Sequence, residues 1–158
     1  IIGGRAMEAH PSQALAMAHL IVLAGWGGIV ATEAVIEVAP FLKDDLHPAA
    51  IRLHYWIDLL VELPVVLAVI ATGVALAVTT PELTALHAVK IGCGATAVSI
   101  NLFCIAVVVR RGRRLERGGG DRALWGASKV VLACFASGLL AAAGAATLGF
   151  RFAFLRLG

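Results

Sequence analysis

Residues 51–64 read IRLHYWIDLLVELP and open one of four long apolar segments. His54, Asp58 and Glu62 recur every four residues, so on a helix they stack along one face. An ionisable side chain at bilayer depth costs roughly 3 kcal/mol or more unless it is paired, neutralised or bound to a metal. The row therefore marks a polar site inside a segment otherwise fit to cross a membrane.

The surrounding chain fits that setting. Of its 158 residues, 60% are hydrophobic and the mean hydropathy is +0.92, whereas about half is usual for a soluble domain. A span needs roughly 20 apolar residues, which gives an all-α, integral membrane four-helix bundle in up-down-up-down order. One domain over residues 1–158 is expected, with spans at about 14–39, 51–78, 83–109 and 123–150. The first span is predicted to end at Pro40. Residues 40–50, PFLKDDLHPAA, then form a turn bounded by Pro40 and Pro48. Pro64 predicts a kink just after Glu62. The first span is read as a membrane span rather than a signal peptide. It is long for one, and Glu33 and Glu37 stand where a cleavage region carries small neutral residues.

The net charge of +3 is concentrated in RRGRRLERGGGDR, residues 110–122, where six Arg meet Glu116 and Asp121. The 40–50 and 110–122 loops share a side, and their Lys and Arg predict that this side is cytoplasmic. Both termini then lie on the non-cytoplasmic side, in the inner (cytoplasmic) membrane of a bacterium. The Arg loop is short and lacks aromatics, which excludes nucleic-acid reading and suits anionic lipid headgroups. Cys93, Cys104 and Cys134 show no CxxC spacing and read as small core residues rather than a disulfide or thiolate metal site. The run GLLAAAGAATLG at 138–149 suits close helix packing.

At about 1.5 Å per residue, Glu33 and Glu37 of the first span reach depths comparable with Asp58 and His54. Glu62 lies near the midplane, while Lys129 and Asn101 can face the same region. One Lys cannot balance four carboxylates in a low dielectric, so protons or a bound cation must supply the rest. Glu33, Glu37, His54, Asp58 and Glu62 are the candidate metal ligands, and the donor types suit Fe, Mn, Zn or Cu. The plain alternative is a structural ion-pair network. A second cluster is expected at the outer side, where His19 and His87 begin parallel spans at similar depth and glycines follow each. Axial ligation of haem b by both, with Lys90 one turn on to meet a propionate, would follow.

The stretches AHLIVLAGWGG (18–28) and LHAVKIGCGATAVSINLFCIAVVVRR (86–111) resemble CopD-like copper-resistance membrane proteins and the small membrane protoporphyrinogen oxidases. In those, a helix begins with His and continues to W-x-G, and a later helix carries Lys and ends in basic residues. His19 and Trp26 match the first element and Lys90 the second, and the resemblance implies haem or metal.

The leading expectation is a membrane redox or electron-transfer protein with haem b or another metal centre, its carboxylate face handling protons or a cation. The alternatives are a cation-binding or transport protein and an accessory subunit of a larger complex. The expected partners are the lipid bilayer, a quinone or other membrane-complex subunits, and further copies in an oligomer. No catalytic residue is assigned, and whether the chain is an enzyme stays open.

Overall fold

The structure, a computed structural model, describes residues 11–80 and 84–155, with side chains described for 13–80 and 84–147. The lead before residue 11, the connection at 81–83 and the tail side chains lie outside that set. Helix α1 (Pro11–Leu42) is followed by a 3-10 turn (Asp44–Leu46), α2 (His47–Ile57), a π-helical turn (Asp58–Glu62) and α3 (Leu63–Thr79). Then come α4 (Ala85–Glu116) and α5 (Asp121–Leu155). Four segments are long and apolar enough to cross a membrane: Gln13–Leu42, Asp44–Thr79, Ala85–Glu116 and Asp121–Thr147.

Several helix boundaries differ from the sequence expectation. Helix α4 runs on to Glu116 and α5 starts at Asp121, so most of the arginine-rich 110–122 stretch is helical and only residues 117–120 connect the two. Two further differences have a proline-specific reason. Pro40 does not end α1, which runs on to Leu42. A proline near a helix terminus forfeits one backbone bond, and its ring here is buried in the packing. Pro48 does not bound a turn but lies in the first turn of α2. There its missing N–H would have had no partner anyway, and its fixed φ suits helix entry. The second span thus starts at Asp44 rather than residue 51.

At Pro64 the structure shows a π-helical turn in place of a plain helix break. The proline follows that turn, where the Leu63 N–H reaches back five residues to the Asp58 carbonyl. The buried positions 54, 58, 62 and 66 advance by fours, and on an α-helix each such step drifts about 40° around the axis. The wider turn takes up that drift and keeps Asp58 and Glu62 both facing inward.

Helix α1 packs along the whole second span, and α4 packs along α5. The two pairs meet where α2 touches α4 and α1 touches α5. Cys104, Val108, Val131 and Cys134 form the apolar seam between α4 and α5. Polarity is inverted relative to a water-soluble domain. Glu33, Glu37, His54, Asp58, Glu62 and Arg111 are buried, while Leu42, Val78, Leu139 and Leu140 are more than 70% exposed. Such a surface is consistent with four helices long and apolar enough to cross a membrane.

Helix α4 ends in a Schellman arrangement, with Gly118 at φ 71°, its N–H on Leu115 and the Gly119 N–H on the Arg114 carbonyl. One turn earlier, Gly112 admits the ring of Tyr55: a Cβ there would stand 2.6 Å from Tyr55 Cδ2 and 3.0 Å from Cγ. These atoms lie near the Tyr55 backbone and cannot swing aside. Gly112→Ala is therefore expected to prise α2 from α4 and to cost about 1–3 kcal/mol, read as a lowered midpoint of thermal unfolding in detergent. An unchanged midpoint would mean that this contact does not set the spacing of the two helices.

Candidate metal centre

The polar interior is assembled from α1, the second span, α4 and α5. Because α1 and the second span run antiparallel and in contact, Glu37 falls opposite His54, and Glu33 opposite Asp58. Trp26 falls opposite Glu62, and His19 opposite Thr72. Each rung couples one polar residue of α1 to one of the second span.

Arg111 of α4 anchors the first rung. Its two terminal nitrogens bind both oxygens of Glu37: Nη1 donates to Oε1, and Nη2 to Oε2 at 2.8 Å. Nη1 also donates to Ser128 Oγ of α5 at 2.7 Å, and Ser128 lies 3.2 Å from His47 Nε2. His47 is stacked on Trp125 with ring centroids 4.0 Å apart. All four helical segments are thus tied to one fork-shaped guanidinium.

Held this way, Glu37 is an ionised acceptor, and its Oε2 lies 2.9 Å from His54 Nδ1. Arg111 Nη2 also lies 3.3 Å from Nδ1, but the shorter contact is with the carboxylate, which can only accept, so Nδ1 donates to Glu37 and Nε2 faces the next rung. Nε2 stands 3.2 Å from Asp58 Oδ1 and 3.9 Å from Glu33 Oε2. The 3.2 Å contact is not aligned as a hydrogen bond. Both oxygens of Asp58 and both of Glu33 lack a hydrogen-bond partner among the described residues, although each side chain is 1% exposed. One donor atom from each of Glu33, His54 and Asp58 lies within 4.8 Å of the other two.

Glu62 is served differently. Its Oε1 accepts from Asn101 Nδ2 at 2.6 Å and from Trp26 Nε1 at 3.2 Å. Of the five residues read as ligands, Glu33, His54 and Asp58 converge. Glu37 stands behind His54 as its orienting carboxylate, and Glu62 sits one rung deeper with its own donors.

The positive charge inside the cluster is Arg111, not Lys129, which is exposed on α5. Lys129 follows Ser128 by one residue, a step of about 100° around the helix, so it points out where Ser128 points in. Arg111 escaped the sequence reading because it sits in a run of arginines and looked like one more loop charge. Its signal was positional: it recurs at three- and four-residue steps with the buried residues Asn101, Cys104 and Val108.

The outer histidines have separate settings. His19 Nδ1 lies 2.7 Å from the Thr72 hydroxyl, and its ring packs against Gly73. His87 Nδ1 lies 2.8 Å from the hydroxyl of Thr84, the residue that caps α4. Comparisons with known protein families, with curated proteins and with solved structures find no match for this chain.

Removing one side of a buried ion pair strands the other. Arg111→Ala is expected to cost about 3–5 kcal/mol in unfolding free energy, and Arg111→Lys less, because an ammonium keeps the charge but loses the fork. Thermal unfolding of the two variants beside the parent checks the order. Equal stability of all three would remove Arg111 as the anchor.

Proposed function

We propose that the chain is an integral membrane metalloprotein whose ion is held by Glu33, His54 and Asp58. The observation that carries this reading is the convergence of Glu33 and Asp58, whose oxygens make no hydrogen bond among the described residues, on Nε2 of an imidazole whose other nitrogen faces Glu37. Metal-ligating histidines are commonly oriented by a carboxylate in this way. An ion between Glu33 and Asp58 would meet four carboxylate oxygens that make no hydrogen bond among the described residues. One nitrogen with several carboxylate oxygens is a hard donor set, suited to Fe(II) or Mn(II) ahead of Zn or Cu. With such an ion the centre serves one-electron redox chemistry, and Glu62, the next polar group along the span, is the proton-handling residue.

A second reading places haem b between His19 and His87, with Lys90 at a propionate. Its support is the sequence pattern, in which His19 and His87 each stand near the start of a span and are followed by glycines. Cation passage through the same carboxylates is the transport form of the first reading. The π turn beside Pro64 favours it, since π turns often mark functional sites. The topology that accompanies all these readings is up-down-up-down in a bacterial inner membrane, with the Arg loop cytoplasmic and both termini outside.

Elemental analysis of the purified protein is expected to find about one first-row ion per chain. Asp58→Asn and Glu33→Gln should lose most of it, and Glu62→Gln clearly less. Glu37→Gln should weaken binding by about 10–100-fold without abolishing it. A wild type with no stoichiometric metal beyond haem iron sinks the centre. A Soret band that shifts on reduction and disappears in His19→Ala and His87→Ala would establish the haem reading instead.

Orientation is checked by single cysteines placed at 113–119 in a chain whose own cysteines are replaced. They are expected to resist a membrane-impermeant thiol reagent in intact cells and to react once the membrane is opened. Labelling from outside would reverse the topology.

A further inference from the structure

The α4–α5 pair carries a second feature, on its outer flank and away from the carboxylates. Two cavities open there. One, of about 590 Å³, is lined by Arg110, Arg113, Arg114 and Arg117 above Val107 and Leu124. The other, of about 480 Å³, lies deeper and is lined almost wholly by apolar atoms, among them Ile100, Phe103, Val130 and Ala133.

The two are shallow and share no lining residue, but they follow one another along the same flank of the pair as one open groove. On α4, residues 100, 103, 107, 110 and 114 follow one another by threes and fours, and on α5 residues 123, 127, 130, 134 and 137 do the same. Each set is a single helix stripe. From Arg114 to Ile100 the stripe runs about 21 Å, enough for a headgroup and the chains of one leaflet, about 15 Å deep.

Its chemistry is graded along that length. The loop end holds cationic side chains and no lining carboxylate. Arg111, 2% exposed, also lines this end, and its Nε has no hydrogen-bond partner among the described residues. The deeper end offers exposed Phe103 and Val130. An anion alone would use only the upper half, and a neutral lipid only the lower.

We infer that this groove is a binding site for an anionic phospholipid, its phosphate among Arg110, Arg114 and Arg117 and an acyl chain along Phe103 and Val130. The site is independent of the metal centre, with which it shares only the backbone of α4 and the far side of Arg111.

The test uses the full chain, stripped of lipid in detergent and titrated by native mass spectrometry. The ligands are phosphatidylglycerol, phosphatidylcholine and soluble glycerol phosphate. One phosphatidylglycerol per chain should bind in clear preference to phosphatidylcholine. Arg114→Gln with Arg117→Gln should weaken it by about thirtyfold. Ala133→Phe, which fills the apolar half at an exposed position, should weaken phosphatidylglycerol with both arginines intact. Glycerol phosphate should compete poorly. Equal binding of the two lipids, or unchanged phosphatidylglycerol affinity in the double Arg variant, overturns the site. Competition by glycerol phosphate as strong as by the lipid would also overturn it, since recognition would then rest on the phosphate alone.

Discussion

Arg111 and Glu37 form a two-pronged ion pair in the interior of a chain whose exterior is hydrocarbon-like. Neither charge has water to fall back on, so each confines the other, and through them α1 and α4 are held at one register. Everything else in the polar interior is built on that constraint. Ser128 and His47 extend it to α5 and to the start of α2. His54 is oriented because Glu37, already committed to Arg111, can only accept. Were Glu37 free, the imidazole could present either nitrogen to Asp58 and Glu33. The geometry of the candidate centre is therefore set two residues away from it.

The second constraint is backbone rather than charge. Four successive inward residues spaced by four do not fit a regular helix, and Pro64 cannot supply a regular i→i−4 bond. The π turn at Asp58–Glu62 answers both, since it absorbs the angular drift and uses the five-residue bond from Leu63 to Asp58. The turn lies within the polar stretch itself, so the residues with most chemistry occupy the part of the span where regular helix geometry is interrupted.

Much of this could be read from residues alone, for identifiable reasons. The spacing of His54, Asp58 and Glu62 implies one face on any helix, and rise per residue alone matched Glu33 and Glu37 to Asp58 and His54. Those inferences need only helix geometry and an antiparallel neighbour. What stayed hidden depends on packing between elements distant in sequence. Arg111 is chemically indistinguishable from its neighbours in RRGRR until the stripe it shares with Asn101, Cys104 and Val108 shows which way it points. Pro40 and Pro48 have the composition of turn residues, and only the surrounding helix decides that one lies in a last turn and the other in a first. The depth of His19 was legible, but its hydroxyl partner on α3 was not, because matched depth does not say which helix stands alongside.

Stability alone gives a weak reason for such an interior. Replacing a buried ion network by well-packed apolar residues is commonly neutral or stabilising, and in a bilayer apolar residues suit every face of a span. A network selected only to tie helices together would also be expected to close on itself. Here it closes in part. Arg111 and His54 satisfy Glu37, and Asn101 and Trp26 satisfy one oxygen of Glu62, but the four oxygens of Glu33 and Asp58 make no hydrogen bond among the described residues and face His54 Nε2. On either side of that gap, His54 and Arg111 Nη2 lie 2.9 and 2.8 Å from Glu37, and Asn101 and Trp26 lie 2.6 and 3.2 Å from Glu62, so the gap is not a general shortage of polar partners. A divalent ion would fill it, and so would protons, since a protonated His54 would place its Nε2 charge 3.2 Å from Asp58 Oδ1 and 3.9 Å from Glu33 Oε2; metal content separates the two.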